Sequence, residues 1–206
     1  MPRKIDVANL KTRSTALLAH VQTRIDKAIA TNLDFYLIRW MCRMSAVEVH
    51  TIWERYVEKR LIAALNHDAS HFVREEEIKG VKHVSSGLAD YIVRGGGKFF
   101  DFRSMSQLID KGNAWLGVNA NPFCNLSKND KQYIDALASI RNCIVHNSDA
   151  AQATYRRHLK SVYGITYAPG PDEFLFAKDN RQGSPFRYQP RLKGLAVVID
   201  RAIRQS

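Results

Sequence analysis

Apolar residues recur at helical spacing in seven stretches of this 206-residue chain, a pattern that leaves little room for anything but an all-α fold. The longest stretch, residues 34–65, reads as one long second helix. Its Ile38, Met41, Met44, Ile52 and Tyr56 form a stripe, with Trp40, Val47 and Leu61 beside it. Glu48 falls on that stripe, one turn after Met44 and one turn before Ile52, where a carboxylate is costly to bury without a partner. Upstream, Leu17, Leu18, Val21, Ile25, Ala28 and Ile29 predict a helix over 14–29. A third helix is expected over 76–93, stopped by Gly95-Gly96-Gly97. Phe99-Phe100-Asp101-Phe102 reads as a packed turn, and Ser104 suits the N-cap of a fourth helix burying Met105, Leu108, Ile109 and Trp115.

Pro122 and Ser127-Lys128-Asn129-Asp130 give the start signal of a fifth helix. It carries Tyr133, Leu137, Ile140 and Ile144 at offsets of four, three and four, a buried stripe. After His146 comes Asn147-Ser148-Asp149. Asn suits a left-handed helix end, and Asp149 suits an N-cap with Gln152 as its capping-box partner. The chain is therefore expected to break at 147–149 and continue as a sixth helix over 149–162. Residues 164–190 are rich in Gly, Pro and polar side chains. Within them Glu173-Phe174-Leu175-Phe176 reads as a strand, hairpinned with Phe186-Arg187-Tyr188 across a turn at Gly183, which makes a small β-hairpin at 173–188. A last helix over 191–203 packs Leu192, Leu195, Val198 and Ile203. All of residues 1–206 are expected to form one domain.

The chain has 31 Lys and Arg against 20 Asp and Glu, a formal charge of +11, which favours polyanionic partners. Its 45% hydrophobic residues suffice for a core and exclude a disordered chain. Cys42, Cys124 and Cys143 are odd in number and form no CxxC pair, against a disulfide framework or a zinc knuckle. The basic start, Met1-Pro2-Arg3-Lys4, is followed by no apolar signal core, and no stretch approaches a membrane span. A cytoplasmic, reducing setting with no membrane partner is expected.

The chemistry concentrates at Arg141-Asn142-Cys143-Ile144-Val145-His146. A guanidinium holds a phosphate in bidentate fashion, and an imidazole moves a proton near neutral pH. Five residues apart on an ideal helix, Arg141 and His146 are separated by ~140° and ~7.5 Å of rise. Two features still bring them together: the helix ends at His146, and Arg141 is long enough to reach. The free N–H groups opening the next helix, at Ser148, offer an anion site, and Arg156 and Arg157 extend a positive track. A purely structural reading stands beside this one. Arg141 borders the buried stripe, Glu48 is a ready ion-pair partner for it, and His146 is then only a helix cap.

The segment from Ile140 to Ser148 resembles the signature of the HEPN superfamily (higher eukaryotes and prokaryotes nucleotide-binding domains). That signature is an Arg, four to six residues and a His, with a polar residue favoured after the Arg, here Asn142. The run over 130–140 and the long second helix with Val47-Glu48 look like the HEPN group of bacterial defence and toxin systems. The resemblance implies a helical bundle that dimerises so that two motif copies face each other, and a metal-independent endoribonuclease that needs no cofactor. It implies His146 as general base toward the ribose 2′-OH, Arg141 stabilising charge on the phosphate, and Asn142 orienting the His or the phosphate. It further implies a 2′,3′-cyclic phosphate product and an antitoxin or defence-system partner. Some toxins of this superfamily carry a Tyr two residues after the His, the target of a modifying antitoxin. Ser148 stands there instead, so a different regulator is expected.

Two rival readings remain: a non-catalytic RNA- or nucleotide-binding module of the same fold, and a helical adaptor for a protein partner. Other candidates weigh less. His67 and His71 have metal-ligand spacing without HExxH or a third ligand. Gly95-Gly96-Gly97-Lys98 lacks the phosphate-loop spacing. Glu75-Glu76-Glu77 reads as a solvated helix start, Cys143 as a packed thiol, and Ser148 lacks the elbow of a nucleophile. Glu48 is the one further residue expected near the site, in a supporting role to Arg141.

Overall fold

The computed structural model describes residues 4–206 apart from 32, 82, 98–99, 183 and 185. The expected turn at Gly183, Phe99 of the apolar patch, Lys98 after the glycine run and Met1 to Arg3 lie outside the described residues. Those residues form an all-α structure of nine helices: α1 (Val7–Ala30), α2 (Phe35–His67), α3 (Ser70–Glu75), α4 (Ser86–Arg94), α5 (Met105–Leu116), α6 (Lys128–His146), α7 (Asp149–Tyr163), α8 (Pro171–Phe176) and α9 (Arg191–Gln205). None is long and apolar enough to cross a membrane.

Local chemistry explains most of the boundaries. Asp6 caps α1 through the Asn9 amide, Asp34 caps α2 through Tyr36 and Leu37, and Ser85, Ser104 and Ser127 cap α4, α5 and α6. Gly95 ends α4 in the left-handed region, at φ 61°.

The 33-residue α2 is the axis of the bundle and touches α1, α4, α5, α6, α8 and α9. Its buried face carries Ile38, Cys42, Ala46, Val49, Trp53, Tyr56 and Val57. Trp53 and Tyr56 stack, and Trp53 meets Phe123 edge-on at 5.8 Å between ring centres. Fully burying a side chain such as Leu61 or Leu65 contributes ~1.5–3 kcal/mol, so this face anchors the bundle.

The sequence reading is corrected at four places. On α2 the expected Ile38, Ile52 and Tyr56 are buried together with Leu61, whereas Trp40 and Met44 are exposed and Trp53 takes the centre. α2 is apolar on most sides, so spacing alone does not select the face that six neighbours cover. The helix expected over 76–93 is interrupted. Glu77 and Gly80 take positive φ after α3, and α4 starts only at Ser86. The strand expected at 173–176 is α8. Pro171 takes its first position, Asp172 and Glu173 suit its N-terminal dipole, and Phe174 and Leu175 are both fully buried. Only isolated bridges, Lys178 with Pro190 and Asp179 with Arg187, remain of the hairpin among the described residues. At the α6–α7 break Ser148, not Asp149, is the N-cap, accepting from the Ala151 amide at 3.3 Å.

Candidate functional site

α6 carries its apolar stripe into the core through Ile134, Leu137, Ile140 and Ile144 and ends at His146, where Asn147 takes the left-handed conformation at φ 44°. That turn lets α7 fold back against α6. With the helix stopped, the His146 ring is exposed and turns toward Arg141. Arg141 Nη1 lies 3.4 Å from His146 Nε2 and 2.8 Å from Asn142 Oδ1. A guanidinium only donates, so Nε2 is the acceptor in this contact and its lone pair faces the basic side of the site. The expected trio of Arg141, Asn142 and His146 is thus assembled within one chain. Asn142 holds the guanidinium rather than the imidazole.

The inner side of Arg141 faces α2. Its Nε is buried with no hydrogen-bond partner among the described residues. Behind it stand His50 and Glu54, one turn apart on α2, with His50 Nδ1 3.3 Å from the Glu54 carboxylate, in ion-pair range but out of hydrogen-bond alignment. Burial works to raise the Glu54 carboxyl, but His50 and the charge of Arg141 outweigh it and hold the group below the usual carboxylate range. Glu54 thus pairs with His50 and feels the charge of Arg141. Glu48 does not pair with Arg141: it lies on the opposite flank of α2 and pairs with Arg24 of α1. The apolar stripe of α2 does not by itself single out Glu54. The four-residue spacing of His50 and Glu54 was the available signal.

The remaining predicted residues divide. Ser148 serves as a helix cap at an exposed position. Arg156 turns toward the end of α6. Burial raises the Cys143 thiol, while Arg43 and Arg156 pull it back, so both cations stand near that sulfur. Arg157 instead acts on His158, on the side of α7 that faces Asp135. His67 bonds to the Ile5 carbonyl at 2.9 Å and His71 to Arg74 at 2.8 Å, so each has a different partner.

Two surfaces border this region. The outward face of α2 and the turn before it expose Leu33, Tyr36, Leu37, Trp40 and Met44, with Tyr36 at 76% and Trp40 at 56%. Arg43 and Val47 lie between this apolar stripe and the His50–Glu54 pair. On the α1 side of α2, Arg13, Arg55 and Lys59 line an open groove of about 420 Å³.

Comparisons with protein-family models, with curated proteins and with solved structures return no match. The geometry of the α6–α7 junction therefore stands by itself.

Proposed function

We propose that this chain is an endoribonuclease of the HEPN type, acting on RNA as a homodimer in toxin or antiviral defence. The observation that carries the reading is the convergence of Arg141 Nη1, Asn142 Oδ1 and His146 Nε2 at an exposed helix end, with Arg141 retaining unused donors. A phosphodiester seated against the guanidinium brings the neighbouring ribose 2′-OH to the imidazole. Once the phosphate takes over the Arg141 Nη1 donor, the His146 Nε2 lone pair is released and takes that proton as the 2′ oxygen attacks phosphorus. Arg141 stabilises the charge that develops on the non-bridging oxygens. The P–O5′ bond breaks, and the 5′ oxygen takes a proton, a role open to the second copy's His146 across a two-fold seam. The products are a 2′,3′-cyclic phosphate and a free 5′-hydroxyl. DNA is spared because it lacks the nucleophile. The step uses no metal ion and no cofactor. Glu54 acts as a positioning residue through its charge on Arg141.

The apolar stripe at Tyr36, Leu37, Trp40 and Met44 supports the dimer, since a patch of large exposed side chains on one helix is a surface water covers poorly. The net charge of +11 supports a polyanionic substrate. An antitoxin or other defence partner, and a cytoplasmic site of action, belong to the same reading.

The experiment is cleavage of total RNA in the presence of chelator by the wild-type protein and by His146→Ala. Wild type is expected to leave fragments ending in 2′,3′-cyclic phosphate, and His146→Ala to leave RNA intact with an unchanged melting temperature. Intact RNA with both folded proteins rejects the enzyme. The dimer is tested by Trp40→Glu, which is expected to give a monomer in sedimentation; a variant that sediments as wild type removes this stripe from the seam.

A further inference from the structure

The proposed reaction leaves one cavity at the α6–α7 junction unused. It measures about 200 Å³ and lies between Cys143 and Asn147, the α7 residues Gln152, Tyr155 and Arg156, and the turn at 168–171. Drug-sized ligands need roughly 300–1,000 Å³, so this space suits one flat ring system. Its walls are held by specific contacts. The Tyr155 hydroxyl donates to the Pro169 carbonyl at 3.1 Å, tying the turn to α7, and the Tyr155 ring packs edge-on against Phe174. The floor is the buried Cys143 side chain.

The cavity neighbours the proposed reaction centre. Around α6, Arg141, Asn142, His146 and Cys143 follow one another at roughly 0°, 100°, 140° and 200°. A phosphate held between Arg141 and His146 therefore has the cavity on its His146 side, ~60° and ~4.5 Å of rise away.

The hydrogen bonds at the rim have a fixed direction. Arginine cannot accept, so Arg156 Nη2 donates to Gln152 Oε1, at 3.5 Å, and Gln152 Nε2 is left to donate to Asn147 Oδ1, at 3.1 Å. Each amide oxygen then has one of its two lone pairs in use. The N–H groups the rim still offers come from Asn147 Nδ2 and the rest of the Arg156 guanidinium.

We propose that this cavity takes the base adjoining the scissile phosphate, and that its donor-rich rim selects an acceptor-rich edge, guanine before the others, with Gln152 setting the direction of the rim. Guanine presents O6 and N7 side by side, which suits a guanidinium fork, whereas adenine sets an N6 donor beside N7 and cytosine presents its N4 donor. Flat bases splayed out of single-stranded RNA are read in this way. The proposal rests on the ribonuclease reading for the position of the phosphate.

The test uses short single-stranded RNAs carrying one 2′-deoxy nucleotide, which blocks cleavage there, with each of the four bases placed in turn on either side of that linkage. Affinity is read by fluorescence anisotropy. The wild-type protein is expected to bind a guanine probe tighter than its adenine counterpart by on the order of ten-fold. In Gln152→Glu the carboxylate accepts from both Arg156 and Asn147, so the Asn147 oxygen turns to the cavity and the guanine preference is lost. An acidic side chain near the start of α7 suits the helix dipole, so this variant keeps its fold. Arg156→Lys, which removes the fork, is expected to weaken the preference in the same direction. Equal affinity for all four bases, or a preference untouched in Gln152→Glu, overturns the base pocket. The all-ribose counterparts are scored for cleavage separately. Cleavage without base preference rejects the pocket and keeps the nuclease; base-selective binding without cleavage keeps the pocket and rejects the nuclease.

Discussion

Two arginines stand toward opposite ends of α6 and are used in opposite ways. Arg181 is nearly saturated, with four of its five N–H groups donating. Its Nε donates to Asp179 Oδ1 at 2.9 Å, its Nη2 to Asp179 Oδ2 at 2.6 Å and to the Tyr133 hydroxyl at 3.0 Å, and its Nη1 to the Val162 carbonyl at 2.6 Å. The guanidinium also lies over the Tyr163 ring at 4.6 Å. Arg141 spends one nitrogen on Asn142 and His146 and leaves its buried Nε without a hydrogen bond. A guanidinium whose donors nearly all meet protein groups holds a fold together. One with donors to spare, an imidazole beside it and a solvent-facing mouth is available to a ligand. The contrast separates a structural arginine from a candidate catalytic one more sharply than charge or sequence position does.

That contrast yields a graded set of expectations. Arg141→Ala is expected to lower RNA cleavage by ~10²–10³-fold, the usual cost of removing one donor to a developing charge, with little change in melting temperature. A large loss of stability in that variant, with cleavage retained, collapses the distinction. Arg181→Ala is expected to do the reverse. It strands the buried Asp179 carboxylate and costs ~3 kcal/mol, with a melting temperature on the order of 10 °C lower by calorimetry.

Acid sharpens the same point. Burial opposes the charge on Asp179, but Arg181 and Ser184 outweigh it and hold the carboxyl down to about 2. A carboxylate depressed in the folded state contributes stability that is present above its unfolded value of about 4 and is lost as pH falls from there toward 2. Urea midpoints measured across that window are expected to fall in the wild type and to fall less in Arg181→Ala. The smallest effect belongs to Arg157→Ala. This exposed cation is expected to weaken RNA binding slightly and evenly across sequences, reducing the salt slope by about one, as read from affinity against log salt.

The features legible in the chain were the local ones. Asp34, Ser104 and Ser127 cap their helices because a short polar side chain reaches its own backbone, whatever the rest of the molecule does. The left-handed stop at Asn147 is local in the same sense, and it brings Arg141 and His146 together from a spacing that an unbroken helix would hold apart. Glu173 to Phe176 was misread because Phe and Leu beside glycine and proline suit a buried strand or a buried helix turn equally. Pro171 and the aromatic socket of Tyr155 and Tyr163 around Phe174 decided for the helix. Glu48 pairs with Arg24 rather than Arg141 for a related reason, since α2 has apolar residues on most sides and its rotation is set by its neighbours.

The amino-acid order alone determined the helical class, most helix starts and the pairing of a guanidinium with an imidazole at one helix end, because each depends on contacts within a few residues. Tertiary structure decided that Glu48 pairs with Arg24, which face of α2 stays bare, and that residues 168–171 close a cavity beside Cys143. Those outcomes join segments far apart in the chain. They follow from how six helices share the surface of α2, where burial of the whole set outweighs the preference of any one segment.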